Sequence, residues 1–137
     1  MNSERLARDY LKRAQDRIVA VEVLFQREAY PDVLREAQEV VELCLKGALR
    51  FLGIDPPKKY EVSGLLRIHI ELLPAKWKEN IEAIQMISTQ LFEERSHAFY
   101  GDEADLIPAS EIFGKEDAEE ALNGAKMILD FFSDLLA

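Results

Sequence analysis

Cysteine is nearly absent from this 137-residue chain: Cys44 stands alone and cannot form an internal disulfide. Histidine is almost as scarce, with only His69 and His97, so no Cys/His cluster has the spacing of a zinc site. Six glycines and five prolines are too few for a collagen-like or low-complexity chain. No window approaches the roughly 18 uninterrupted apolar residues of a membrane span. The start, MNSERLARDYLKR, has no apolar core of the signal-peptide kind. Phosphate-loop and dinucleotide fingerprints are missing as well. The expectation is a cytoplasmic protein of one domain, residues 1–137, with no metal and no cofactor. A chain of this size buries roughly two-thirds of its unfolded surface without staples.

Charge is plentiful but uneven. The 26 acidic and 17 basic residues give a net charge of −9, which at first sight argues against a nucleic-acid ligand. Residues 1–78 nevertheless carry 14 Lys and Arg against 12 Asp and Glu, whereas residues 101–137 carry 2 against 10. Acidity belongs to the C-terminal third.

Helical periodicity dominates what is there. Leu6, Tyr10, Ala14, Ile18, Val21 and Phe25 recur at steps of three and four, predicting a helix from about Ser3 to Glu28 with Asn2 or Ser3 as its cap. Pro31 suits the first turn of a second helix, Pro31 to Leu52, which Gly53 ends. Within it Gly47 costs about 1 kcal/mol relative to alanine, and close approach of a neighbouring helix is the use that would justify it. Ile54 to Lys59 reads as a linker. A short helix from about Val62 to Leu73 is stopped by Pro74, although Leu66, Ile68, Ile70 and Leu72 alternate as a strand would. No second strand exists to pair with it. A long helix follows from Ala75 to Glu94 or slightly beyond. The loop Asp102 to Gly114 holds Leu106, Ile107, Ile112 and Phe113, so it is expected to pack on the body. The last helix is Lys115 to Leu136, with acidic residues in its first turns, where the helix dipole favours them. The fold class predicted is all-α, an up-and-down bundle of four long helices plus one short helix.

Candidate chemistry is sparse. Cys44 lies on an apolar helix face and reads as core; His69 reads as a structural or surface side chain. Adjacent carboxylates such as Glu93-Glu94 point about 100° apart on a helix and are poorly placed to share a proton. The Glu-x-x-His pattern of di-iron bundles occurs once, at Glu94 and His97, where two copies are needed. What remains is Arg95-Ser96-His97-Ala98-Phe99-Tyr100 at a helix end. Arginine binds phosphate bidentately, and His or Tyr can trade a proton. The helical neighbours of Arg95 are Leu91, Phe92, Ala98 and Phe99, so no carboxylate on its own helix neutralises it.

Several segments then resemble one family. They are Ala7 to Ala14, Tyr30-Pro31-Asp32, Glu42 to Leu49, Phe99 to Glu103 and the Ala-rich Asp117 to Ala121. Together they look like the HEPN domain (higher eukaryotes and prokaryotes nucleotide-binding). In many members a histidine-containing turn opens the third helix; here Tyr60-Glu61-Val62 stands there. The resemblance implies a helical bundle that forms a homodimer and often pairs with a small nucleotidyltransferase in toxin–antitoxin systems. Many members are metal-independent ribonucleases built on Arg, a polar residue and then, a few positions on, His. Arg95 and Ser96 match the first two positions, Tyr100 holds the place of the histidine, and His97 comes too early. A phenol of ordinary pKa near ~10 is a poor general base at neutral pH. The resemblance therefore implies first a nucleotide- or RNA-phosphate-binding component using Arg95 and Tyr100. An altered Arg-x4-Tyr ribonuclease site of Arg95, Ser96 and Tyr100, with His97 weaker, is the second reading. A ligand-free interaction bundle is the third.

Overall fold

The computed structural model describes residues 2–58 and 61–137. Lys59, Tyr60 and the Asn2 side chain lie outside that set, and with them the expected Asn2 cap and the tyrosine of the Tyr60-Glu61-Val62 turn. The protein is all-α, with four long helices packed together. In chain order these are α1 (Asn2–Gln26), α2 (Tyr30–Phe51), α3 (Ser63–Ile68), a 3₁₀ turn (Ile70–Leu72), α4 (Ala75–Glu79), α5 (Ile81–Tyr100), α6 (Ala109–Ile112) and α7 (Lys115–Leu136).

α2 is the centre of the bundle because α1, α5 and α7 all pack against it. Its buried face, from Val33 through Val40, Cys44, Ala48 and Leu49, is wide enough to meet three neighbours. Gly47 has the use its position suggested: a Cβ there would lie 2.3 Å from Cζ of Phe132 on α7. α1 and α2 both end in the same hydrogen-bonded stop. The Ala29 N–H reaches the Leu24 carbonyl at 2.9 Å, and the Ile54 N–H reaches the Leu49 carbonyl at 2.9 Å. The left-handed residue is Gly53 (φ 80°) in one and Glu28 (φ 61°) in the other. The glycine takes that conformation freely, whereas the glutamate carries a Cβ into it.

Two expectations need correction, and a third holds only in part. The Val62–Leu73 helix is broken into α3 and the 3₁₀ turn. The helix expected from Ala75 breaks at Asn80 and then runs on to Tyr100. Asn80 has φ −115° and ψ 10°, and its Nδ2 donates to the Lys76 carbonyl at 2.8 Å, displacing the backbone partner. The loop after α5 meets the body through α6, which touches α2 and α5, and through Phe113, which joins the core, but its tip does not. Asp102 and Ile107 exchange two backbone hydrogen bonds of 2.9 Å, so Leu106 is left 86% exposed and only Phe113 is buried, at 7%. Gly101 (φ 73°) makes that return possible, since a Cβ would strike the Ile107 carbonyl oxygen at 2.3 Å.

Candidate functional site

α5 decides the site by giving adjacent residues to opposite neighbours. Residues 94 and 95 are about 100° apart on a helix. Arg95 turns towards α2, where Arg35, Gln38, Glu39 and Glu42 form a polar stripe at steps of three and four within an otherwise apolar face. These side chains, with Phe92 and Lys58, enclose a cavity of about 200 Å³. Glu94 turns towards α7 and the carboxylates of Asp117 and Glu120. The acidic last helix therefore contributes nothing to the lining of the Arg95 cavity.

Each carboxylate in the cavity already has a cation on its own helix. Arg35 Nη1 pairs with Glu39 Oε1 and donates to Gln38 Oε1 at 3.3 Å. Lys46 pairs with Glu42 at 3.2 Å. Arg95 donates from Nη1 to the Phe92 carbonyl, and its guanidinium lies 3.7 Å from the centre of the Phe92 ring. The cation–π contact holds the group against the Phe92 ring without neutralising it. Among the described residues neither Arg95 nor Lys58 has a carboxylate within ion-pair distance. The cavity thus has an uncompensated positive side.

The chain after α2 is anchored next to this cavity by Glu61. Its carboxylate accepts from the Ser63 backbone N–H at 2.9 Å and from the hydroxyls of Ser63 and Ser88, with Thr89 Oγ1 at 3.5 Å. Ser88 belongs to α5, so these bonds tie the start of α3 onto the helix carrying Arg95.

The structure does not bring the other sequence candidates to Arg95 within one chain. Ser96, His97 and Tyr100 are exposed and do not line the cavity. Five residues of helix place Tyr100 about 140° around the axis from Arg95. Tyr100 is 63% exposed and meets Phe99 edge-on, ring centres 4.7 Å apart. Phe99, itself 57% exposed, has the Arg35 guanidinium 5.7 Å from its ring centre. Phe99 therefore adjoins the cationic cavity through Arg35, and Tyr100 packs on Phe99 outside it. Arg35, Gln38 and Lys58 were not found from sequence; the signal was the polar stripe at 35, 38, 39 and 42 on a buried helix. The arrangement can hold an oxyanion by charge and by guanidinium N–H donors. No histidine lines the cavity, and its carboxylates are engaged.

The chain matches the HEPN domain over residues 7–135. It belongs to the HEPN family. It is also 30% identical over 139 residues to the protein named "Putative toxin MJ1304" of Methanocaldococcus jannaschii, covering 96% of this chain and 89% of that one. No solved structure shows a significant match. The HEPN bundle here carries its cationic cavity between α2 and α5, and none of its helices among the described residues is long and apolar enough to cross a membrane.

Proposed function

We propose that this HEPN protein binds a nucleotide or the phosphate backbone of RNA at Arg95, Arg35 and Lys58. In this reading it is the toxin-type member of a cytoplasmic pair whose other member is a small nucleotidyltransferase, and it acts as a homodimer. The observation that carries the reading is the Arg95 guanidinium, held against the Phe92 ring without a carboxylate partner in a cavity that holds two further cations. Phosphate satisfies such a group bidentately. The exposed Phe99 and Tyr100 rings favour a ligand with bases over inorganic phosphate, because unpaired bases stack on aromatic side chains. The toxin-named relative supports the pair, and HEPN membership supports the dimer and the nucleotidyltransferase.

A second reading, a metal-independent ribonuclease, has its own support. Ser96, His97 and Tyr100 all face solvent at the end of α5, where a second copy could complete a site with them.

The test is fluorescence anisotropy of a labelled single-stranded RNA against wild type, Arg95→Ala and Arg35→Ala, repeated over a range of salt. Charged hydrogen bonds contribute about 1.5–3 kcal/mol, so each substitution should weaken binding roughly 10- to 100-fold. Each lost phosphate contact should also lower the salt slope by about 0.7. Unchanged affinity in Arg95→Ala would sink the proposal. Cleavage of the RNA in chelator, abolished by Tyr100→Phe or His97→Ala, would establish the ribonuclease reading instead. A melting temperature indifferent to both nucleotide and RNA would leave the interaction bundle.

A further inference from the structure

The side of α5 turned away from Arg95 carries a separate feature. α5 and α7 each lie along α2 but spread from one another, leaving a groove of about 410 Å³ floored by Leu34. Its walls are Met86, Ile87 and Leu91 of α5 and Ala121, Gly124 and Met127 of α7. The walls meet at Gly124, where a Cβ would come within 3.0 Å of the Ile87 side chain. Met86 is 67% exposed, so a large apolar side chain stands at the mouth in water. Two of the three methionines in the chain line this groove, and methionine-lined surfaces adapt to the shape of an incoming apolar group.

One end of the groove is acidic. Glu94, Asp117 and Glu120 line it, and no lysine or arginine does. Their internal partners are neutral: Gln90 Nε2 donates to Glu94 at 3.2 Å, and the Gly114 N–H donates to Asp117 at 2.9 Å. Burial, with repulsion from Asp117, Glu93 and Glu120, holds the Glu94 carboxyl above its ordinary pKa despite the Gln90 bond. The charge at this end is therefore uncompensated, and an incoming cation would relieve it.

We propose that the groove docks a basic amphipathic helix of a partner protein. Its apolar side chains would lie along Met86, Ile87, Leu91, Ala121 and Met127, and a Lys or Arg would lie among Glu94, Asp117 and Glu120. The spacing fits. Ile87 to Glu94 is seven residues of helix, about 10 Å of rise. A docked helix spans the same distance between an apolar anchor at i and a cation at i+7, with a second anchor at i+4. A second copy of this chain seated through the same face would bring no lysine or arginine to these three carboxylates, since none lines the groove, so charge selects a basic partner. The site is independent of the phosphate reading, being on the other side of α5.

The probe is a fluorescein-labelled alanine-based helix of about 20 residues, long enough to be helical in water. It carries Leu at i and i+4 and Lys at i+7 and i+8; a twin carries Glu at the last two places. Anisotropy is read on wild type, on Met86→Glu and on Glu94→Lys/Glu120→Lys. Methyl NMR of labelled methionine follows Met86 and Met127 directly, so the result does not depend on variants alone. The Lys helix should bind wild type at least tenfold tighter than its twin and shift both methyl signals. Met86→Glu should weaken it at least tenfold, and the double charge reversal should invert the preference. Equal binding of both helices, binding by neither, or shifts absent from Met86 and Met127 would overturn the proposal. So would a Met86→Glu protein whose light-scattering mass falls to one chain, because the groove would then be an interface between copies.

Discussion

Replacing Gly47 by alanine would put a methyl group where the Phe132 ring already is. The new Cβ would lie 2.3 Å from Cζ, 2.9 Å from Cε2 and 3.0 Å from Cε1. Carbon atoms in contact sit at about 3.5–4.0 Å. Phe132 is wholly buried, so the ring cannot swing into solvent. Two effects oppose each other. Alanine is better than glycine inside a helix by about 1 kcal/mol. Overpacking a core costs about 1–3 kcal/mol and occasionally more, and an overlap exceeding 1 Å against a fixed ring belongs at the upper end. The expected net loss is about 2 kcal/mol. For a chain of 137 residues that lowers the melting temperature by roughly 8 °C. Urea unfolding followed by circular dichroism reads the loss as a lower midpoint at unchanged slope. The cause is isolated by adding Phe132→Leu, which removes the edge of the ring at the expense of a cavity. In that background Gly47→Ala should be neutral or stabilising, giving a coupling of about 2 kcal/mol or more. A neutral Gly47→Ala in the wild-type background would refute the close approach of α2 and α7.

Other consequences follow from single residues. Glu28→Gly should stabilise the protein by about 1 kcal/mol, because a left-handed position costs an ordinary residue roughly that much; Gly53→Ala should destabilise it similarly, both read by urea titration. Cys44 is fully buried and burial holds its thiol far above the usual pKa, so iodoacetamide at neutral pH should label it only as the protein unfolds, read by mass spectrometry across a urea series. For Glu94 the folded pKa is raised, so the folded state holds the proton to higher pH than the unfolded one. Stability is therefore lost as pH rises from the unfolded carboxylate value of about 4.3 through the raised folded value. Glu94→Gln, which can still accept from Gln90, should match wild type below about pH 4 and exceed it at pH 7 in thermal melts.

The long helices were legible because their apolar residues recur at helical steps over many turns, and burial against α2 rewards that pattern. The break at Asn80 was not, since Trp77, Ile81 and Ile84 keep helical spacing straight across it. Asn80 interrupts the helix through its own side chain, which competes for the Lys76 carbonyl. The loop from Asp102 to Gly114 was legible only in part: Phe113 reaches the core as the apolar content suggested, but the two-bond exchange between Asp102 and Ile107 closes the tip before Leu106 can. At the site, Arg95 was visible as an arginine without a carboxylate on its own helix. Its companions were not, because Arg35 and Lys58 meet it only through the packing of α2 and the preceding connection on α5. The polar stripe on α2 carried that information, though helix periodicity alone does not say which neighbour it faces.

The overall charge of −9 takes on a different meaning once α5 is seen as a partition. Arg95 opens on a cavity whose carboxylates are already paired, while Glu94 opens on the carboxylates of α7. An α-helix with its side chains is about 10 Å across, which equals the Debye length at 0.1 M salt. At that ionic strength the α7 carboxylates act on a ligand near Arg95 only through screened, weakened fields. At 0.01 M the screening length grows to about 30 Å and the same carboxylates reach across the helix. Counterion release tightens phosphate binding as salt falls, and the α7 field opposes it over the same range. The two terms have opposite signs, so affinity for RNA at the proposed site should rise with dilution of salt and then level off. An acidic protein can thus offer a cationic cavity, provided one helix stands between the two signs.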